Sequence, residues 1–210
     1  MAYTRGNSSN IIVGAASVFI ADGALSKATL PEFVASESYR ETLSDIEELD
    51  GSFKNIGYTM NGLELQFQPD FGEVQVDQLL DVAKLYKQGM QVSLATAFAE
   101  ATLENLLLAI AGNSNDLNIA GTELDLYSGQ LGECPVERGI VAVGPGTGDC
   151  ENSATAERVY AAYRALSIEN VTVSAKRDEA SMFEVTFRLL PDDADASYGR
   201  IVDRTWTPGS

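Results

Sequence analysis

Residues 61–77 read NGLELQFQPDFGEVQVD, and the fold class turns on that run. Leu63, Leu65 and Phe67 alternate with Glu64, Gln66 and Gln68. After Pro69-Asp70-Phe71-Gly72, Val74 and Val76 alternate with Glu73, Gln75 and Asp77. A period of two sends successive side chains to opposite faces of a strand, so both halves predict half-buried β-strands. Pro69 to Gly72 predicts the turn between them, since proline presets φ at an early turn position. Asn61-Gly62 accepts the positive φ of a tight turn. The apolar set belongs in a core. The other set holds carboxylates and amides and no base, and what it faces is the functional question.

The flanking sequence extends the β pattern. Residues 10–21 alternate weakly and end at Asp22-Gly23, a first strand and turn. Residues 90–98 alternate again, 122–127 and 139–143 predict strands, and 168–178 with 181–192 predict a hairpin closed around 177–180. Asp77 is placed to cap a helical turn that Gly89 would end. Leu103, Leu106, Leu107 and Ile110 fall at i, i+3, i+4 and i+7, with Thr102 as cap and Gly112 as stop. They predict one helix over about 100–111, laid on a sheet by its single apolar stripe. Residues 154–166 are ambiguous, alanine-rich as a helix but alternating as a strand. The sum predicts a mainly β chain of one domain, a sandwich or barrel with one flanking helix.

Two segments do not fit either period. Residues 24–56 are long, polar and acidic, yet contain Leu30, Phe33, Val34, Tyr39, Leu43, Ile46 and Leu49. A loop of that length with apolar content is expected to pack on something, including a second chain. Residues 128–153 are rich in glycine and hold both cysteines, Cys134 and Cys150. A disulfide there would close a modest loop and add ~3 kcal/mol. With no secretion signal expected, since only Arg5 and a polar NSSN precede the first apolar run, two free thiols are the expected state.

Composition excludes several functions. The chain has 210 residues, 31 acidic and 14 basic, with a net charge of −17. Tight nucleic-acid binding needs several lysines or arginines at phosphates, which this balance does not offer. The charge keeps copies soluble and mutually repelling, and it also fits a high-salt source. The longest apolar run, residues 11–21, is 11 long, against the ~20 a membrane-spanning helix needs. The chain has no histidine, the commonest general base and metal ligand at neutral pH.

The remaining motifs carry little chemistry. GPGTGD at 144–149 lacks the Gly-Lys-Ser/Thr ending of a phosphate loop and reads as a turn. The acids Glu47, Glu48 and Asp50, and Asp192, Asp193 and Asp195, lack the spacing and glycine of a calcium loop. No metal and no cofactor is expected. Ser, Thr and Cys have no histidine to activate them and no G-x-S-x-G elbow. Glu64 and Glu73 sit at regular strand positions and read as a solvated or interface face, so no catalytic residue is expected.

Three segments together resemble the major tail tube proteins of long-tailed, siphovirus-like bacterial and archaeal viruses. They are IGYTMNGLELQFQPDFGEVQVDQLLDV at 56–82, QVSLATAFAEATLENLLLAIAG at 91–112, and AKRDEASMFEVTFRLLPDDADASYGRIVD at 175–203. They cover 78 of the 210 residues, in the family's order. The resemblance implies a structural virion protein of the tail, made in the host cytoplasm. Its subunits would form homohexameric rings that stack into a tube, with inner strands joined into one β-barrel through which DNA passes without specific binding. The implied partners are further copies of itself and the tail terminator, tail-tip and tape-measure proteins, with no membrane.

By the same resemblance 24–56 is the loop that reaches an adjacent ring, with Phe33, Tyr39 and Phe53 as contacts. Residues 1–10 and 198–210 are terminal arms, the latter also readable as a terminal strand. Residues 157–166 become a strand, and 128–153 an outward-facing insertion. Glu64, Gln66, Gln68, Glu73, Gln75 and Asp77 are the expected lumen-lining side chains. A wall of carboxylates and amides repels phosphates where lysines would hold them. Two competing expectations are the tube protein of a contractile injection system, which shares the fold, and a monomeric β-sandwich module binding calcium or sugar.

Overall fold

The computed structural model describes residues 12, 14–50, 53–75, 77, 81–118, 120–132, 134–147, 155–173, 177 and 180–208, and of 46–50 the backbone alone. Among the described residues the chain is mainly β, with eight strands in one antiparallel sheet and two short α-helices. In chain order the elements are β1 (Ser17–Ala21), α1 (Tyr39–Asp50), β2 (Phe53–Asn55), β3 (Thr59–Val74), β4 (Lys84–Phe98) and α2 (Leu103–Ala109). Then follow β5 (Arg138–Pro145), β6 (Ala156–Ser167), β7 (Phe183–Leu190) and β8 (Gly199–Thr205).

The sheet runs β2-β1-β5-β6-β7-β4-β3, and β8 also pairs with β6. β6 is the branch point. One of its edges carries β5, while the other carries β8 along Ala156–Ala162 and β7 along Arg164–Ser167. The sheet therefore forks at Tyr163 and folds over itself. Between the branches lies the main core, in which Val18, Ile20, Ile140 and Ala142 meet Val92, Leu94, Phe98, Val185 and Phe187. α2 closes one end of it with Leu108 and Ala109. Its start is set by Thr102, whose side chain accepts a hydrogen bond from the Asn105 amide. At the fork β8 runs very close to β6. A Cβ on Gly199 would lie 2.1 Å from the Ala161 carbonyl oxygen, so only glycine fits there.

A second core lies on the other face of β1, β5 and β6. Phe19, Val141, Val143, Val159 and Tyr163 are covered by Leu25, Tyr39, Leu43 and Phe53. Segment 24–56 is thus a folded cover for its own sheet, containing α1 and β2. Tyr39 and Phe53, expected at an inter-ring contact, are 0% and 4% exposed and have no side-chain surface left for a second ring. Phe33 is half-buried, its ring 4.6 Å from that of Tyr39.

The same topology corrects other expectations. Within the expected outward insertion 128–153, residues 138–145 are instead β5, which lies between β1 and β6 with seven of its eight residues buried. Ala156–Ser167 form β6, so 157–166 is a strand as the resemblance implied, despite its alanines, with neighbours pairing along both edges. Residues 168–173 are not a strand, and β7 pairs with β4 and β6 instead of closing a local hairpin. Residues 122–127 contribute one bridge, Leu117 to Leu124. The expected helix after Asp77 is not present among the described residues; β4 occupies Lys84–Phe98. The 198–210 arm holds β8, built into its own subunit, and 1–10 lies outside the described residues.

Candidate functional site

The long β3–β4 hairpin separates two faces. Leu63 and Leu65 pack against the main core, while Glu64, Gln66 and Gln68 are exposed on the opposite side. Across the ladder Glu64 faces Ala95, Gln66 faces Ser93 and Gln68 faces Gln91. β7 continues the rows, with Thr186 beside Ala95, Arg188 beside Ser93 and Glu184 beside Ala97. The burial of β7 alternates, putting Phe183, Val185 and Phe187 inside and Glu184 and Arg188 out. The result is a three-stranded outer face of carboxylates, amides and hydroxyls. Within it the Ser93 hydroxyl lies 3.4 Å from Gln66 Oε1.

The six expected lumen residues do not all share this face. β3 runs without a turn through Pro69-Asp70-Phe71-Gly72 as far as Val74. The extra residue at the register shift between Asp70 and Phe71 belongs to β4, where partners step from Gly89 to Lys87. β3 therefore keeps its alternation, and Glu73 falls on the Leu63 and Leu65 side while Val74 joins the Glu64 side. Gln75 and Asp77 are exposed beyond the strand end, and Val76 lies outside the described residues. Asn61 and Gly62 do take positive φ, 65° and 73°, but as a bulge inside β3 rather than a hairpin turn. The Thr96 hydroxyl holds that bulge by donating to the Gly62 carbonyl at 2.9 Å.

Three features of the site were not read from the sequence. Arg188 adds a base to the face, and its alternation with Glu184 and Thr186 was the available signal. The second is an open edge. Among the described residues β3 ends the sheet, and 14 of its 16 residues pair on one side only, with β4. Pro69, which lacks an amide hydrogen, is tolerated in a strand for that reason. The third is a projecting ribbon. β7 covers β4 only from Val92 to Phe98, so Lys84–Gln91 has β3 as its sole strand partner. Phe67, Phe71 and Leu85 on that ribbon are 54%, 53% and 59% exposed.

No protein-family model and no curated protein matches this chain. Among the described residues no group of three or more carboxylate or cysteine side chains is placed to hold a metal ion. No helix of the described residues is long and apolar enough to cross a membrane. Cys134 is an exposed free thiol, and Cys150 lies outside the described residues. Trp206 is half-buried and so offers no flat exposed platform. Asp193 pairs with Arg164 at 2.8 Å and Asp195 accepts from the Ser197 amide at 3.0 Å, so both act in local structure. The side chains of the other acidic cluster, 47–50, lie outside the described residues.

Proposed function

We propose that this chain is a structural subunit of a viral tail tube, a self-associating ring former whose stacked rings conduct the genome. The observation that carries the reading is the open β3 edge bordering a face of acids and amides. A 16-residue unpaired edge invites another strand. Pairing it with a neighbouring copy removes the edge and continues the polar face from one subunit to the next. Pro69 marks the outer limit of that ladder, since it has no amide to donate. Ring symmetry then repeats Glu64, Gln66, Gln68 and Glu184 around a channel. Arg188 is repeated on the same wall as its one base beside Glu64 and Glu184, so the face stays net acidic and repels phosphates at a range of ~8–10 Å. Partners at the tube ends follow from the family resemblance and belong to the same proposal.

Electron microscopy of the purified protein across a series of ionic strengths tests the reading. Six-fold rings or tubes are expected once salt screens the net charge of −17. A monodisperse monomer at every ionic strength overturns it.

A further inference from the structure

A loop and a cleft on this subunit are both apolar and both unfilled. The loop leads from Leu124 into β5. Leu126 and Tyr127 are 76% and 72% exposed on it, and Leu131 is fully exposed. A monomer leaves single apolar side chains at its surface without consequence, but three large ones within six residues form a patch. Glu123 and Asp125 flank them. The Tyr127 hydroxyl reaches the Asp125 carboxylate at 3.4 Å, so acid and aromatic present together.

The cleft is the open mouth of the main core where the sheet forks, with a volume of about 610 Å³. Phe67 and Met90 form one wall, Tyr160 and Ile201 the other, and the Tyr198 hydroxyl spans its base by donating to the Met90 carbonyl at 2.6 Å. Its charged lining residues are Lys87 and Arg200, with no carboxylate, in a chain holding 31 acids and 14 bases. An acidic, apolar segment fits such a lining in both respects. The loop leads into β5 and the cleft is walled by β8, and these strands flank β6 on opposite edges. Joining loop to cleft between copies is thus a head-to-tail contact, the kind that closes rings.

We infer that the 124–131 loop of one copy docks through Leu126, Tyr127 and Leu131 into the β4–β8 cleft of the next copy. This names a second contact of the ring proposed above and rests on that reading. It adds to strand pairing at β3: Phe67 of β3 gives a side chain to the cleft wall, while Leu126 and Ile201 lie off that edge.

The test uses the full chain with Cys134→Ser and Cys150→Ser, into which Leu131→Cys or Ile201→Cys is placed. Mixing the two variants under mild oxidation is expected to give a disulfide-linked pair well above either variant alone. Tyr127→Asp with Leu131→Asp is expected to weaken self-association about tenfold or more in sedimentation, with the melting temperature unchanged. Wild-type rings without the mixed disulfide overturn this contact and leave the ring reading standing. The mixed disulfide without rings at any ionic strength keeps the contact and overturns the ring reading. A chain carrying both cysteines that links only within itself also overturns the inference, since the loop would then fill its own cleft.

Discussion

Single residues pin the long cover segment and the helix ends to the sheet. Ser38 precedes α1 and Glu41 follows three residues later, the Ser-x-x-Glu spacing of a capping box, of which the Glu41 half is made. The Ser38 amide donates to Glu41 at 3.4 Å, and the Arg40 amide to the Ser38 hydroxyl at 3.3 Å. Glu157 of β6, 5% exposed, accepts from the Ser38 hydroxyl and from the Tyr39 amide at 3.0 Å. A carboxylate at a helix N-terminus is favourable, and Arg204, 3.9 Å away, shares the burial of its charge. Arg204 also donates to the carbonyls of Val34 and Glu37 and lies 5.6 Å over the Phe33 ring. Ser38→Ala is expected to cost about 1–2 kcal/mol, a fall of several degrees in melting temperature by calorimetry.

A second anchor joins β5 to the turn after β1. Buried Arg138 donates to Asp22 at 2.7 Å and to the Gly112 carbonyl at 2.9 Å. The Ser114 hydroxyl does most to hold the Asp22 carboxyl below its ordinary range; burial pushes the other way, and the hydrogen bond and charge of Arg138 add to the lowering. A depressed folded-state pKa means that the unfolded chain binds the proton first as pH falls. Asp22 therefore adds stability that is full above about pH 5 and lost as pH drops through about 4 and below. Asp22→Asn should lower the melting temperature at pH 7, and the gap from wild type should close toward pH 2–3.

At the scale of elements, the β3–β4 hairpin carries the face on which the proposed function rests, and the α1 cover buries the second core. Glu64 and Gln66 are exposed and face away from the core, so Glu64→Lys with Gln66→Lys should leave folding and melting temperature unchanged. In assembled tubes the pair should convert the wall from repelling to retaining DNA, read as salt-sensitive binding of a fluorescent duplex that wild-type tubes do not show. Removing 30–52 deletes Tyr39 and Leu43, both fully buried, and uncovers Phe19, Val141 and Val143. The expected outcome is a chain that is insoluble or lacks a cooperative thermal transition, rather than intact rings that fail to stack. Here sequence reading was half right. The apolar residues of 24–56 announced a packed segment, but nothing local said that the surface they pack on is their own sheet.

For the whole molecule, the net charge of −17 would oppose the proposed assembly and the open edge would favour it. Raising ionic strength should shift the monomer–ring balance toward rings, followed by analytical ultracentrifugation, because like charges repel less once the Debye length falls from ~10 Å toward ~3 Å. The two forces lie on different parts of the surface. Acids are spread over the chain, whereas the apolar residues that can bind a neighbour are grouped on the ribbon at Phe67, Phe71 and Leu85 and on the loop at Leu126, Tyr127 and Leu131.

Alternation of Leu63 and Leu65 with Glu64 and Gln66 was enough to establish a strand and the outward direction of its polar side chains. The leucine run and the Thr102 cap likewise sufficed to establish α2, but its buried side chains are Asn105, Leu107, Leu108 and Ala109, and Ile110 of the expected stripe is exposed. These are local properties, fixed by side-chain spacing along a few residues. Folding decided which strands are neighbours. It kept β3 straight through Pro69 to Gly72 because β4 pairs along its whole length and absorbs the extra residue. It drew β5 into the middle of the sheet and made β6 a strand against its alanine content. Each of those outcomes depends on partners far away in the chain, and a pairing edge supplied from a distance outweighs the weak preference of any one residue.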